Sequence, residues 1–464
     1  MSTPTTPPSY EKLVPPAAGS RVTLGANGQW NIPDDPVVCL LKGDGIGADV
    51  NGVPGITTVS VRVLDAAVKH CYGDKRKIHW FDVHAGDAAR ALYSPAVTDE
   101  QIKTLDEEGQ RRVYLPDDTL KAFEHYKVGL KGPLTTPIGG GFRSINVYLR
   151  FKFDLYACVR PVKYYQGIDA PNRNAHKVDM CIFRENTEDV YCGIEFKSGS
   201  ERAKKLIGLL REMGYGPDLV LDSAGIGIKP MSPERSKRLI RMAIQYAIDK
   251  KCPSVTLCHK GNIMKFTEGA FKDWGYELAK AEFRPHVVTE DEVYKEHGGK
   301  APAGKVVIKD RIADSMFQQI QLRPEEYSVI ATPNLNGDYL SDAVAALTGG
   351  IGLAAGANIG DHAAMFEATH GTAPKYTGQN KANPGAVLLS GVLLFEFLGW
   401  FEAAALVTKA VEATFAEADE TAKRGPGGKM HVTYDIARQF PGYGEQAGAS
   451  SGAFADRIIE LLGK

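Results

Sequence analysis

The sequence predicts an α/β protein, and three observations carry this prediction. Short apolar runs typical of strands alternate along the chain with stretches whose apolar residues recur at helical spacing. The 464 residues exceed what one hydrophobic core usually organises, so we expect two or three lobes. The turn GDGIG after the first apolar run lacks the G-x-G-x-x-G spacing of dinucleotide-binding folds, so we predict that the fold is not a Rossmann fold.

The predicted strands are short, apolar and bounded by turn residues. They cover residues 37–41, 79–83, 127–130, 178–184, 254–258 and 327–331. The predicted helices have apolar residues three or four positions apart. They cover residues 61–70, 120–126, 235–250, 266–280, 339–347, 385–397 and 401–418. Glycine-rich bends are expected at 349–352 and 356–360, and polar loops at 424–429 and 443–451.

Composition excludes several classes of partner. A formal net charge of −1 provides no basic surface for nucleic acid or anionic membranes, so we expect neither partner. The most apolar run, residues 386–394, is too short to span a bilayer, and the first 20 residues lack the apolar core of a secretory signal. Seven cysteines, an odd number without a C-x-x-C pair, indicate reduced thiols and a cytoplasmic protein.

An arginine-rich segment, GPLTTPIGGGFRSINVYLRFKFDLYACVRPV, is the most informative part of the chain. It contains Arg143, Arg150 and Arg160, with Ser144 and Asn146 just ahead of Arg150. Guanidinium groups bind carboxylates through paired hydrogen bonds, and burying one without a partner is costly. The alternative is a helix with a solvated basic face. The glycine-rich turn and the apolar run LYACV favour a site for a small molecule with several carboxylates.

Two further groups of charged residues carry possible chemistry. Asp338 and Asp342 are four residues apart, which on a helix places both carboxylates on one face. Oxygen ligands of this kind suit Mg²⁺ or Mn²⁺, although acidic residues also stabilise the N-terminal end of a helix. Lys260 and Lys265 follow a predicted buried strand. A lysine there can act as a base, and a surface lysine on a loop is the alternative.

Two aromatic-containing motifs leave their roles open when taken alone. Tyr191 follows the acidic run RENTED, so it is either a proton donor or a packed side chain with a hydrogen-bonded hydroxyl. The motif HGTAPKY, at residues 370–376, combines small residues with a cation and a stacking face. With Asn383 nearby, it is a candidate site for an adenine nucleotide.

Eight motifs, taken in chain order, resemble those of the β-decarboxylating dehydrogenases, the isocitrate/isopropylmalate dehydrogenase family. The resemblance extends from about Val37 to near the C-terminus and is strongest to the bacterial-type members that use NADP and oxidise isocitrate. The motifs are GDGIG, KGPLTTPIGGGFRSINVYLR, VRPVKYYQG, FRENTEDVYCGIE, HKGNIMKFTEGAFKDWGY, NLNGDYLSDA, GANIGD and FEATHGTAPKY.

The resemblance implies a particular division of the α/β fold. A large α/β domain would consist of residues 1–155 and 349–464, and a small α/β domain of residues 156–188 and 233–348. Residues 189–232 would form a clasp that interlocks two subunits. In such a homodimer the active site would lie in the cleft between domains, at the dimer interface, and would be shared between subunits.

The resemblance also implies the reaction, which is oxidative decarboxylation of isocitrate to 2-oxoglutarate and CO₂ with NADP and a divalent metal, Mg²⁺ or Mn²⁺, in the citric acid cycle. The substrate-binding residues would be Ser144, Asn146, Arg150, Arg160 and Arg184. The metal ligands would be Asp338, Asp342 and, from the partner subunit, Asp314. The catalytic residues would be Tyr191, which protonates the enol, and Lys260 from the partner, which helps deprotonate the hydroxyl.

Coenzyme preference follows from the same resemblance. In the family, a Lys-Tyr pair after HGTAP and a downstream Tyr and Arg hold the 2′-phosphate of NADP. Here these are Lys375, Tyr376, Tyr434 and Arg438. The other implied coenzyme-binding residues are Thr135, His370, Gly371, Thr372, Ala373, Pro374 and Asn383.

Two alternatives to this function remain at this stage. One keeps the reaction class and changes the substrate to isopropylmalate, tartrate or homoisocitrate. The motif S-x-N-x-x-x-R and the Lys-Tyr pair argue against it. The other is a regulator that binds a tricarboxylate or a metal without catalysis, and the presence of both Tyr191 and Lys260 argues against it.

Overall fold

The computed structural model describes residues 8–26, 28–135, 144–168, 170–425 and 427–464. Strands β1 to β15 are, in chain order, Thr23–Leu24, Trp30–Asn31, Val37–Leu41, His79–Val83, Val128–Lys131, Ala157–Lys163, Asp179–Glu185, Glu195–Phe196, Ile226–Gly227, Ser254–His259, Val287–Thr289, Val306–Ile312, Val329–Thr332, Ala357–Ile359 and Ala364–Glu367. Helices α1 to α16 are Ile56–Tyr72, Gly86–Tyr93, Asp99–Thr104, Glu107–Tyr114, Asp117–Tyr126, Ile145–Lys152, Glu201–Glu212, Pro233–Asp249, Glu268–Glu282, Glu290–Glu296, Ala313–Leu322, Asn334–Leu347, Gly385–Phe397, Phe401–Lys423, Tyr434–Ala437 and Ser451–Leu461.

Every strand and helix predicted from the sequence is present, and the α/β class is confirmed. One loop prediction is wrong, because β14 lies within the expected bend at 356–360 and pairs with a neighbouring strand on each side. Several helices were missed because they contain few apolar residues. Among them, α3, α4 and α7 are preceded by the N-cap residues Thr98, Asp106 and Ser200, whose side chains accept hydrogen bonds from the first turn.

The chain divides into two compact units. Unit 1 consists of Met1–Ile182, Gln319–Tyr327 and Ser341–Lys464, and unit 2 of Phe183–Gln318 and Ser328–Leu340. Residues 156–182 thus belong to unit 1, although the sequence-based boundaries assign them to a small domain. The division into large domain, small domain and clasp remains a prediction.

Unit 1 contains strands in the order β6-β14-β15-β5-β3-β4. The strands β15, β5, β3 and β4 are parallel, whereas β14 is antiparallel to both β6 and β15. Because β15, β5 and β3 are adjacent and parallel, their carboxyl ends lie at the same edge of the sheet. In open α/β sheets this edge is where ligands bind.

The core of unit 1 explains why its central elements are so apolar. All five residues of β3 are buried, as expected for a strand covered on both faces. Helix α13 is buried on nearly every side, and it packs against α1 and α14, while α1 also packs against α16. The aromatic side chains of Phe81, Phe123 and Tyr126 belong to one cluster of buried residues.

Unit 2 contains parallel strands in the order β11-β12-β10-β13. Helices α8 and α9 pack against each other and against β10. The central strands β10, β12 and β13 end at His259, Ile312 and Thr332, so the residues that follow them start from the same edge. In the segment 189–232, β8 and β9 form an antiparallel pair, and α7 lies between them in sequence.

Two further observations concern the chain as a whole. Among the described residues, no helix combines the length and the apolar character needed to cross a bilayer. None of the seven cysteines, all of which the structure describes, forms a disulfide, and four of them are buried.

Close packing of α9 on β10 generates a stability prediction. A methyl group on Gly275 would lie 2.6 Å from Leu257 Cδ1 and 3.1 Å from Ile240 Cδ1, and both of these side chains are fully buried. We expect Gly275→Ala to lower the free energy of unfolding by about 1–3 kcal/mol, because neither neighbour can move away. Urea unfolding followed by circular dichroism measures this change.

The matched control is Gly208→Ala in α7, where an added Cβ meets no atom within 4 Å. Because alanine favours the helix at this position, the free energy of unfolding should rise by up to about 1 kcal/mol. Equal responses of the two variants would contradict the packing argument.

Candidate active site

Three motif-bearing loops start from the shared carboxyl edge of unit 1. They follow β3, β5 and β15 and carry the sequences KGDGIG, GPLTT and ATHGTAPKY. The amide of Asp44 donates to the carbonyl of Pro133 at 2.8 Å, and the amide of Ile46 donates to the carbonyl of Thr372 at 3.0 Å. The loops are thus hydrogen-bonded to one another, although they are far apart in sequence.

Asp44 and Gly45 make this close approach possible. The buried Asp44 carboxylate accepts hydrogen bonds from the amides of Thr135 and Asp87, each at 2.8 Å. Burial raises the pKa of Asp44 above its ordinary value, against these hydrogen bonds. Gly45 has a φ of +57° and lies against the carbonyl of Thr372, so a side chain at this position would clash. The strand-to-helix turn predicted here is confirmed as a short 3₁₀ turn.

A cavity of about 220 Å³ lies within unit 1 beside these loops. Predicted substrate residues Asn146, Arg150 and Arg160 line it together with His370 and Gly371 of the predicted coenzyme motif. Its other lining residues are Lys131, Pro133, Leu134, Cys158, Gly356, Asn358, Glu367, Ala368 and Thr369. Side chains predicted to bind two different molecules therefore meet in one cavity.

Several polar atoms of the cavity lining are buried without a hydrogen-bond partner in the part of the chain that the structure describes. Among them are Asn146 Oδ1, Arg160 Nε and His370 Nε2. Burial also lowers the pKa of His370 below its ordinary value, so its ring is neutral at pH 7. Because buried polar groups are nearly always paired, these three atoms indicate a polar ligand in the cavity.

A buried carboxylate organises the cationic side of the cavity. Glu367 Oε2 lies 2.6 Å from Lys131 Nζ, and Glu367 Oε1 accepts hydrogen bonds from Arg150 Nη2 at 2.9 Å and Asn358 Nδ2 at 2.7 Å. Burial acts to raise the pKa of Glu367, but the charges of Lys131 and Arg150 outweigh it and hold that pKa far below its usual range. With two cations and one anion, this group keeps a net positive charge beside the cavity.

Arg160 and Ser144, two predicted substrate-binding residues of unit 1, have the following surroundings. Arg160 donates a hydrogen bond to the hydroxyl of Ser341, and its Nη1 lies 3.4 Å from Asp342 Oδ1. Ser144 precedes α6 and is partly buried, and its hydroxyl makes no capping bond to the helix. Arg143 lies outside the described residues.

In unit 2, Arg184, Tyr191 and Asp338 form a second cluster. The nearly buried Arg184 donates to Asp338 Oδ1 and, through Nε, to Asn334 Oδ1 at 2.9 Å. The hydroxyl of Tyr191 donates to Asp338 Oδ2 at 2.5 Å, and the Arg184 guanidinium lies 4.9 Å from the Tyr191 ring centroid. Burial, followed by the hydrogen bond to Asp338, raises the pKa of Tyr191 to about 12. Tyr191 therefore keeps its proton at neutral pH.

The predicted base, Lys260, follows β10 in unit 2. Its Nζ lies 2.5 Å from Asp314 Oδ1, so two residues predicted to act together are paired within one chain. The amide of Lys260 donates to the buried carboxylate of Glu268, which also accepts a hydrogen bond from Asn336 Nδ2 at 2.7 Å. Glu268 thus fixes the backbone that presents Lys260.

The predicted metal ligands fit a divalent cation only in part within one chain. Asp338 and Asp342 lie one turn apart on α12, as the spacing predicts, and offer only oxygen atoms, which suit Mg²⁺ or Mn²⁺. Across the described residues, however, no three His, Cys, Asp or Glu side chains are close enough to hold a metal ion. The role of Asp314 from a second subunit as a further ligand stays a prediction.

The residues predicted to hold a 2′-phosphate come together in unit 1. The rings of Tyr376 and Tyr434 lie 5.5 Å apart. Lys375 Nζ lies 5.6 Å from the Tyr376 ring centroid, and the Arg438 guanidinium lies 5.7 Å from that of Tyr434. Lys381 Nζ lies over the Tyr434 ring at 4.5 Å and adds a third cation. We call these five residues the cation cluster.

Hydrogen bonds fix Asn383, and a short turn shapes the backbone of the HGTAPKY motif. Asn383 Nδ2 donates to Asp435 Oδ2 at 2.9 Å, and Asn383 Oδ1 accepts from the amide of Gly385 at 2.8 Å. The residues from Pro374 to Tyr376 form a 3₁₀ turn after Ala373, which has a φ of +38°. The Lys-Tyr pair is thus part of this turn.

Sequence reasoning missed several residues that organise these groups, namely Asp44, Lys131, Glu268, Glu367 and Lys381. A usable signal existed for Lys131 and Glu367, because each is a charged residue that ends an apolar strand. Such a residue is buried only when another charge compensates it. Asp44, Glu268 and Lys381 have no comparable local signal, since their partners lie far away in the sequence or on a neighbouring loop.

The buried Glu367 group predicts a strong effect of removing its charge. Glu367→Gln leaves Lys131 and Arg150 without their anion, so we expect the free energy of unfolding to fall by roughly 3 kcal/mol or more at pH 7. Because the folded pKa of Glu367 is depressed, its stabilisation is present above the unfolded pKa of about 4.3 and is lost as the pH falls below it. The difference in the free energy of unfolding between variant and wild type, measured by urea unfolding, should therefore become smaller in acid.

The control is Glu412→Gln, which removes a carboxylate that pairs with Lys163 at 2.6 Å near the surface. This substitution should lower the free energy of unfolding by at most about 1 kcal/mol. A loss as small as this for Glu367→Gln, or a difference that becomes larger in acid, would refute the assignment.

Comparison with known proteins identifies the family. Residues 37–436 match the isocitrate/isopropylmalate dehydrogenase family. The chain is 50% identical to isocitrate dehydrogenase (NADP) of Archaeoglobus fulgidus, over 98% of this chain and 99% of that protein. It is 48% identical to the Pseudomonas aeruginosa protein of the same name, over 93% of this chain and 96% of that one.

A solved structure is also similar. The crystal structure of isocitrate dehydrogenase from Methylococcus capsulatus shares 31% sequence identity and superposes with a TM-score of 0.69, covering 92% of this chain and all of that one. The family match and the relatives thus cover most of the chain. The chain belongs to the isocitrate/isopropylmalate dehydrogenase family.

Proposed function

We propose that this chain catalyses the NADP-dependent oxidative decarboxylation of isocitrate to 2-oxoglutarate and CO₂, a reaction of the citric acid cycle. The observation that carries the proposal is the cavity of unit 1, which both the arginine-rich segment and the HGTAPKY motif line. Curated relatives named isocitrate dehydrogenase (NADP) at 44–50% identity over nearly the whole chain support it.

The charges of the cavity suit a substrate with three carboxylates. Arg150 and Arg160 bind carboxylate oxygens in this proposal. Lys131, which also lines the cavity and pairs with Glu367, adds positive charge. Asn146 Oδ1 and Arg160 Nε gain the hydrogen-bond partners that they lack among the described residues. Ser144, whose hydroxyl is not used by the helix that it precedes, is available to the carboxylate that distinguishes isocitrate from isopropylmalate.

Arg184, Tyr191 and Lys260 of unit 2 complete the proposed chemistry. Arg184 binds a further carboxylate. Lys260, supplied by a second subunit, helps deprotonate the substrate hydroxyl. NADP, when bound, would accept the hydride from the carbon that carries this hydroxyl. After CO₂ is lost, Tyr191 gives a proton to the enol carbon, and its raised pKa keeps it protonated until then.

A divalent cation, when bound, would polarise the substrate oxygen and stabilise the enolate. Asp338 and Asp342 would hold it, with Asp314 from a second subunit as the third carboxylate. This donor set supports Mg²⁺ or Mn²⁺, because it consists of oxygen atoms alone.

NADP is the proposed coenzyme because of the cation cluster. Lys375 and Arg438 bind the 2′-phosphate through charge-assisted hydrogen bonds, and Tyr376 and Tyr434 add hydroxyl groups and ring faces. The backbone of HGTAP and Thr135 line the path of the remaining nucleotide, with Asn383 close to the adenosine.

A homodimer is part of this proposal. The segment 189–232 exposes large apolar side chains, among them Leu219 at 70% and Leu221 at 63% exposure, and Phe266 in the loop after Lys260 is 92% exposed. Apolar groups exposed to this extent are typical of surfaces that a partner covers. Lys260 and Asp314 belong to the same unit as these side chains, which supports their delivery to a second subunit.

Initial-rate measurements distinguish between the candidate substrates and between NADP and NAD. We expect rapid NADPH formation from isocitrate with Mg²⁺, much slower reduction of NAD, and no activity after chelation with EDTA. Isopropylmalate, tartrate and homoisocitrate serve as the alternative substrates. Faster turnover of any of these acids, or NADPH formation that resists EDTA, would overturn the proposal.

Tyr191→Phe tests the proposed proton donor. The variant keeps the ring beside Arg184 and loses the hydroxyl that bonds to Asp338, so we expect kcat for isocitrate to fall by roughly 10²-fold or more. The control is Tyr294→Phe, because Tyr294 is 70% exposed in the same unit. Equal kcat values for the two variants would remove Tyr191 from the mechanism.

A further inference from the structure

The loop at residues 443–451 places a carboxylate inside the cation cluster. Glu445 Oε2 lies 2.7 Å from Lys381 Nζ, and Glu445 Oε1 lies 3.7 Å from Arg438 Nη1. The hydrogen bond from Lys381, with the charges of Arg438 and Lys375, holds the pKa of Glu445 below its usual value. Glu445 is therefore ionised at neutral pH and faces three cations.

Charge balance gives this carboxylate a consequence for ligand binding. Lys375, Lys381 and Arg438 carry three positive charges, which Glu445 reduces to a net charge of two. A phosphate monoester carries about −1.5 to −2 charges at pH 7. It would gain from all three cations but would be repelled by a carboxylate already in contact with two of them.

Glu445 is also placed where it can withdraw. It begins a short 3₁₀ turn, Glu445–Ala447, and its side chain is 47% exposed. Exposed ion pairs contribute little to stability, so separating Glu445 from Lys381 costs little in folding. Lys381 Nζ also lies 4.5 Å from the Tyr434 ring centroid, a cation–π contact in addition to the ion pair with Glu445.

We propose that Glu445 occupies the cation cluster when no coenzyme is bound, competes with the 2′-phosphate of NADP, and thereby limits the preference for NADP over NAD. Lys381 is the cation that the carboxylate and the phosphate share. The inference rests on the proposed use of NADP and adds two residues to its specificity.

Glu445→Gln is the direct test, with adenosine 2′,5′-bisphosphate as the probe and adenosine 5′-phosphate as its counterpart without the 2′-phosphate. Titration calorimetry should show the Kd of the bisphosphate falling by roughly two- to fivefold in the variant, as for release of an exposed ion pair. The Kd of adenosine 5′-phosphate should not fall. The control Glu460→Gln, which removes a carboxylate paired with Arg457 at 2.6 Å, should change neither value.

A second variant shows whether Lys381 transmits the effect. In a Lys381→Met background, Glu445→Gln should improve bisphosphate binding less than it does in the wild type, because the shared cation is gone. An equal improvement in both backgrounds would overturn the role of Lys381. An unchanged or weaker bisphosphate affinity in Glu445→Gln alone would overturn the competition.

The same titrations separate this inference from the proposed function. If the wild type binds the bisphosphate no better than adenosine 5′-phosphate, the assignment of the cluster to NADP fails. If the wild type prefers the bisphosphate and Glu445→Gln leaves that preference unchanged, only the inference about Glu445 fails.

Discussion

One buried carboxylate governs the geometry of the candidate site. Glu367 ends β15 and pairs with Lys131 at the end of β5 and with Arg150 on α6. A lysine and an arginine with so little exposure are stable only with such a partner. Each cation is thereby held in one position before any substrate arrives, so less conformational entropy is lost on binding. The interaction that stabilises the sheet edge thus also positions the cations of the cavity.

The parallel arrangement of β15, β5 and β3 brings this interaction about. It directs three loops to one edge, where Asp44 and Gly45 hold them within hydrogen-bonding distance. Unit 2 repeats the arrangement with β10, β12 and β13, after which come Lys260, Asp314 and the residues of α12. In both units several motifs follow strands, because adjacent parallel strands bring the residues after them to one edge. Arg160 and Arg184 are exceptions, since they lie on strands themselves.

Sequence patterns predicted the long elements well and the polar ones poorly. Buried strands and apolar helices such as α13 are recognisable because burial of their own side chains decides their structure. Helices α3, α4 and α7 depend on capping, and β14 depends on pairing with distant strands, so local periodicity does not reveal them. The site shows the same division. The motifs contain the residues predicted to touch ligands. Asp44 and Glu268 within the motifs, and Glu445 outside them, act on other residues through contacts that only the fold creates.

The antiparallel strand β14 has a practical consequence. Because β14 and β15 form a hairpin, the turn between them, residues 360–363, lies at the end of β15 opposite Glu367 and the motif loops. Asp361 and His362 are exposed at its tip. Exposed turns tolerate insertions best. A short peptide label or a cysteine for dye attachment placed there would report on this protein in solution without approaching the cavity.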